Sequence, residues 1–175
     1  KDSDFDARFR ALLSMKREDS PDVDAVVAEI IADVRARGDA AVIALTERFD
    51  RTILPPEPLA FSGDEIEAHC AQVPAEEREA LELAAERIRA YHTRQMPQDA
   101  SWTDDTGATL GWRWGPVGAA GLYVPGGLAS YPSSVLMNAI PAKVAGVERL
   151  AMVVPTPDGV VNPLVLLAAR LSGVD

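Results

Sequence analysis

From Gly121 to Gly173 the chain alternates short apolar runs with helix-like segments, and this alternation constrains the fold more than any other feature. Gly121-Leu122-Tyr123-Val124 has the length and character of a strand, and Pro125-Gly126-Gly127 breaks it. Pro132 to Ala145 reads as a helix. Leu150-Ala151-Met152-Val153-Val154 reads as a second strand, and Asn162-Pro163 supplies the cap and first residue of a helix closing at Gly173. Strands separated by helices pair in parallel. Parallel sheets are normally covered on both faces by further strand–helix units, and this pattern stops where a third strand is due. Either another chain completes it or more polypeptide follows; the second is expected.

The first half reads as helices. Phe5, Phe9, Leu12 and Leu13 recur at helical spacing up to about Lys16. Ser20-Pro21 offers a cap and first-turn proline for a helix with an apolar stripe of Val23, Val26, Val27, Ile30, Ile31 and Val34. Gly38 is placed to end it and Asp39 to cap the next, which carries Val42, Ile43, Leu45 and Phe49. After the prolines at 55, 56 and 58, Leu59-Ala60-Phe61 is expected to form a short strand. Ser62 and Glu65 match a capping box, and Ala75 to about Gln95 reads as a long helix with Leu81, Ala84, Ile88 and Tyr91 on one side. Around Asp105-Thr106-Gly107, two short strands form a hairpin whose tryptophans (Trp102, Trp112, Trp114) are expected to pack on the helices.

Composition narrows the function classes. The 175 residues are 47% hydrophobic and 25% charged, the balance of a soluble globular chain. No apolar run approaches the roughly 18–20 residues of a membrane helix, and the acidic start Lys1-Asp2-Ser3-Asp4-Phe5-Asp6 lacks the apolar core of a signal peptide. A net charge of -10 repels phosphate backbones and argues against nucleic acid as a partner. A single cysteine, Cys70, excludes an internal disulfide framework and fits a reducing cytoplasm. Metal ligands are scarce. The neighbouring His69 and Cys70 point about 100° apart on a helix and are read as ordinary helix residues.

The chemistry-bearing stretch is Gly121 to Asn138. Its strand delivers Tyr123 to the C-terminal end of the sheet, where open α/β folds bind ligands. Gly126 and Gly127 allow close backbone approach. Ser130, Ser133 and Ser134 add hydroxyls beside a helix N-terminus, which favours phosphate or carboxylate. Common fingerprints do not account for it: Gly127-Leu128 stands where a P-loop has Lys-Ser/Thr, and no G-x-G-x-x-G occurs. Alone, a Gly-Gly loop is more often just a tight turn, Tyr123 a partly buried aromatic, and either serine a helix cap.

Taken whole, the stretch resembles the glycine-rich segment of histidinol dehydrogenases, Gly-Leu-Tyr-Val/Ile-Pro-Gly-Gly. Pro132-Ser133-Ser134-Val135-Leu136-Met137 and Pro141-Ala142-Lys143-Val144-Ala145-Gly146 follow in register. Similar blocks lie at Val34 to Ala41, Glu47-Arg48-Phe49-Asp50 and Tyr91-His92-Thr93-Arg94-Gln95, so the resemblance runs over nearly the whole chain.

The resemblance implies the N-terminal part of a cytoplasmic, zinc- and NAD-dependent homodimer that oxidises L-histidinol to L-histidine through the aldehyde, with active sites at the subunit interface. It implies an α/β fold: a helical extension over 1–18, a helical region with short strands over 19–119, and from 120 to 175 the first part of a Rossmann-like, aldehyde-dehydrogenase-like nucleotide-binding domain. Tyr123 matches the family's NAD-contacting tyrosine, Pro125, Gly126 and Gly127 shape the same wall, and Ser133 and Ser134 face substrate. His92 reads as a surface or structural histidine sooner than a pocket residue. The family's Glu-His base pair and its zinc ligands (glutamine, aspartate and two histidines) match nothing here, so the chain alone is expected to be inactive. A non-catalytic nucleotide- or anion-binding or dimerisation module is the competing reading. An aldehyde dehydrogenase is more distant, because Cys70 lies on a helix in the wrong setting.

Overall fold

The computed structural model describes residues 4–15, 21–56, 59–125 and 131–175. Five helices come first: α1 (Phe5–Met15), α2 (Pro21–Arg37), α3 (Asp39–Asp50), α4 (Gly63–Cys70) and α5 (Ala75–Thr93). An antiparallel hairpin follows, β1 (Ala100–Thr103) and β2 (Thr109–Trp112). The chain ends as β3 (Ala119–Tyr123), α6 (Pro132–Ala145), β4 (Arg149–Val153), a 3-10 turn (Pro157–Gly159) and α7 (Pro163–Ser172). The result is a mixed α/β chain whose parallel and antiparallel pairs form separate two-stranded sheets.

The anticipated alternation is present. β3 pairs with β4 in parallel from Ala119 opposite Arg149 to Tyr123 opposite Val153. One face of this pair is covered: Val124, just past β3, is fully buried with Val135, Leu136 and Ile140 of α6 and Val165, Ala168 and Ala169 of α7, with Ala85 of α5 in the same core and Met152 of β4 packed against it. A second cluster, Cys70, Val73, Leu166 and Leu167, joins α4 to α7. The apolar positions of α6 and α7 reach nearly all round, as expected of helices placed inside. Both helices stop at a glycine in the left-handed region, Gly146 (φ 93) and Gly173 (φ 77). In each case the next amide, Val147 or Val174, donates to a carbonyl five residues back (Ala142 or Ala169), closing the helix end.

Local signals set several helix and turn ends as the sequence predicts. Ser62 Oγ accepts from the Glu65 amide while the Ser62 amide donates to Glu65 Oε2 at 2.8 Å, a complete capping box. Asn162 Oδ1 accepts from the Leu164 amide at 2.8 Å. In the hairpin turn Asp104 Oδ1 accepts from the Thr106 amide, the Thr106 hydroxyl and the Ala108 amide. Lys16 and Ser20 lie outside the described residues.

Three expectations fail. Asp39 does not cap α3; Gly38 (φ 57, ψ -133) takes that position, in backbone open to glycine, and Asp39 starts the first turn, where its charge suits the helix's positive end. Leu59-Ala60-Phe61 is not a strand, because neither two-stranded sheet takes it as a neighbour to receive its amides. The tryptophans do not pack on helices. Trp102 and Trp112 meet edge to face across the hairpin at 5.3 Å, and all three remain 45–61% exposed.

Candidate functional site

The candidate site is built on the C-terminal edge of the parallel pair. Exposure alternates along both strands: Ala120, Leu122, Leu150 and Met152 turn toward the helices, while Gly121, Tyr123, Ala151 and Val153 turn to the opposite face. Tyr123, the last residue of β3, is 67% exposed, and its partner Val153 is 64% exposed. The alternative of a partly buried aromatic does not hold, because Tyr123 lies on the sheet face that no helix covers among the described residues. Strand pairing continues one residue further, since the Val124 amide donates to the Val153 carbonyl at 3.0 Å. Val124 itself is fully buried. Tyr123 thus projects from backbone fixed on both sides, and Pro125 follows it, exposed. Gly126, Gly127 and Ser130 lie outside the described residues.

The helix opposite begins with Tyr131 as its cap residue, and no side chain makes the capping bond. Ser133 and Ser134 occupy the first turn instead, so capping does not account for either. Pro132 at the first helical position lacks an amide where none is needed. The Ser134 amide donates to the Tyr131 carbonyl at 3.0 Å, and Asn138 Nδ2 donates to the Ser134 carbonyl at 2.7 Å. Ser133 is exposed and Ser134 half-buried. The first turn of α6 carries no acidic side chain, which leaves its positive end without a charged side chain of its own.

The remaining candidates sit elsewhere. His92 is half-buried in the last turn of α5, its ring edge-on to Tyr91 at 5.2 Å. His69 lies edge-on to Phe61 at 6.2 Å, while Cys70 is buried in the α4–α7 cluster. Among the described residues no three His, Cys, Asp or Glu side chains come together as a metal site would require. The described residues do not fit a zinc ion. A feature that sequence reasoning passed over is the loop between β4 and α7, Val154 to Val161. It leaves the same edge of the sheet as Tyr123. The rule that ligands gather at strand C-termini applies to both loops, and only the first was read that way.

The histidinol dehydrogenase family model matches residues 13–175. This chain belongs to the histidinol dehydrogenase family. The histidinol dehydrogenase of Cereibacter sphaeroides is 79% identical over 171 residues, covering 98% of this chain and 39% of that protein. That of Ruegeria pomeroyi is 78% identical over 172 residues, with 98% and 40% covered. The crystal structure of histidinol dehydrogenase from Elizabethkingia anophelis superposes with a TM-score of 0.83 at 31% identity, covering 90% of this chain and 36% of that one. The chain therefore spans about two fifths of its curated relatives, and aligns with their N-terminal part. No helix among the described residues is long and apolar enough to cross a membrane.

Proposed function

We propose that this chain forms the cofactor-side wall of a histidinol dehydrogenase that oxidises L-histidinol to L-histidine by way of histidinal, passing hydride to NAD. Residues 120–175 begin the Rossmann-like nucleotide-binding domain, 19–119 form a helical region with the hairpin, and 1–18 an N-terminal extension. Tyr123 meets the cofactor through its ring and hydroxyl, with Pro125, Gly126 and Gly127 shaping the wall beside it. Ser133 and Ser134 offer hydroxyls to substrate from the first turn of α6. The complete enzyme is a cytoplasmic homodimer, and zinc is held by residues outside this chain, where it would orient the amino-alcohol.

The observation that carries the reading is the fixed, exposed placement of Tyr123 at the C-terminal edge of β3, inside a segment matched by the family. In the complete enzyme, Tyr123→Ala should raise KM for NAD by about tenfold, roughly 1.4 kcal/mol of lost contact. Tyr123→Phe should lose less, because the ring remains. Steady-state kinetics with varied NAD checks this. An unchanged KM for NAD in Tyr123→Ala would remove Tyr123 from the cofactor wall.

A further inference from the structure

The α2–α3 helical pair meets the rest of the chain mainly at one place, where the end of α3 touches the 3-10 turn Pro157–Gly159. At that contact Arg51 Nε and Nη2 donate to Asp158 Oδ1 and Oδ2 at 2.6 and 2.8 Å, a two-point fork. The next residue doubles the tie. Thr52 Oγ1 donates to the Thr156 carbonyl at 3.0 Å and accepts from the Gly159 amide at 2.8 Å. Arg51 (φ 56) and Asp158 (φ 58) are also the only non-glycine residues in the left-handed region among the described residues. Side-chain-bearing residues enter that region at a cost, and both members of one pair do so here. The left-handed turn at Arg51 ends α3, and the one at Asp158 shapes the loop that bears its carboxylate.

We infer that the Arg51–Asp158 fork, with Thr52, is a latch that fixes the α2–α3 pair at one angle to the α/β unit and lets it swing when released. Both side chains are well exposed, 66% and 60%. The two-point fork and the two Thr52 hydrogen bonds together hold the closed arrangement, and the exposure of both charged side chains leaves it open to release by competing ions. Beyond Arg51 the covalent link to α4 has no regular secondary structure over its described residues. The loop bearing Asp158 leaves the sheet edge that holds Tyr123, but the latch does not depend on the cofactor reading. What it governs is where Val23, Val26, Val27 and Ile31, exposed along α2, are presented.

The test is a distance measurement in the full chain. Spin labels go on cysteines at Ala32 of α2 and Ala90 of α5, both exposed, while Cys70 is 1% exposed and stays unlabelled. The unaltered chain should give one narrow distance distribution. Arg51→Gly and Asp158→Gly keep the backbone turns and remove the fork; each should broaden the distribution, and the double variant should be no broader than either. The exchange Arg51→Asp with Asp158→Arg should restore a narrower peak. A distribution left narrow by Arg51→Gly overturns the latch. So does broadening accompanied by loss of helical circular dichroism, which would make the pair a cap for α3 instead of a hinge.

Discussion

Asp104 is a surface carboxylate that organises a whole hairpin. The Thr106 hydroxyl, then the Ala108 amide and the other turn amides, hold its carboxyl below the usual range for aspartate. A folded-state pKa below the unfolded one contributes stability that is present above the unfolded value, near 3.8. That contribution is lost as pH falls through the lower folded value. The edge-to-face contact between Trp102 and Trp112 should therefore weaken only in strong acid, visible as loss of their near-ultraviolet circular dichroism signal. Asp104→Ala should lose that signal at neutral pH, and Asp104→Asn should keep it and abolish the acid transition. Sequence placed the turn correctly around Asp105-Thr106-Gly107 but passed over Asp104, because a strand-end residue and a turn acceptor look alike without the amides it receives. The same blindness explains Asp39. Acid before an apolar run reads as a cap, and only the backbone torsion of Gly38 decides otherwise.

Among elements, those with their own start and stop signals were legible. The capping box at Ser62, Asn162-Pro163 before α7 and the glycines after α6 and α7 are each satisfied within a few residues, so one stretch of sequence contains the whole argument. Leu59-Ala60-Phe61 was not legible, since a strand exists only with a neighbour that no local pattern supplies. Burial divides the same way. Periodicity marked apolar faces on α1 and α2 and on α5, yet only the last of these finds partners in the core, while Phe5, Phe9 and Leu12 remain 47–60% exposed. Two leucines should separate these cases. Leu136→Ala, in the centre of the α6–α7 core, should cost about 2–5 kcal/mol in urea unfolding. Leu12→Ala should stay within about 0.5 kcal/mol. A comparable loss at both would mean that α1 packs where it now stands open.

At the scale of the molecule, the chain exposes 13008 Å², whereas a compact monomer of 18.7 kDa should expose about 8,300 Å². Exposed apolar side chains lie on the open face of β3 and β4, where Tyr123 and Val153 are 67% and 64% exposed, as well as along α1 and α2. Sequence anticipated the open sheet face from the two-stranded parallel pattern, and anticipated the family from matched blocks in order. It placed the candidate wall without showing that Tyr123 would stand on the uncovered face. On the proposed reading this chain carries the cofactor-side wall, while the base and the zinc ligands lie elsewhere. The direct measurement is absorbance at the NADH band with the purified chain, L-histidinol, NAD and zinc. The chain alone should give no signal, and NADH should form once the downstream polypeptide is supplied. Histidinol-dependent NADH from the 175 residues by themselves would contradict it.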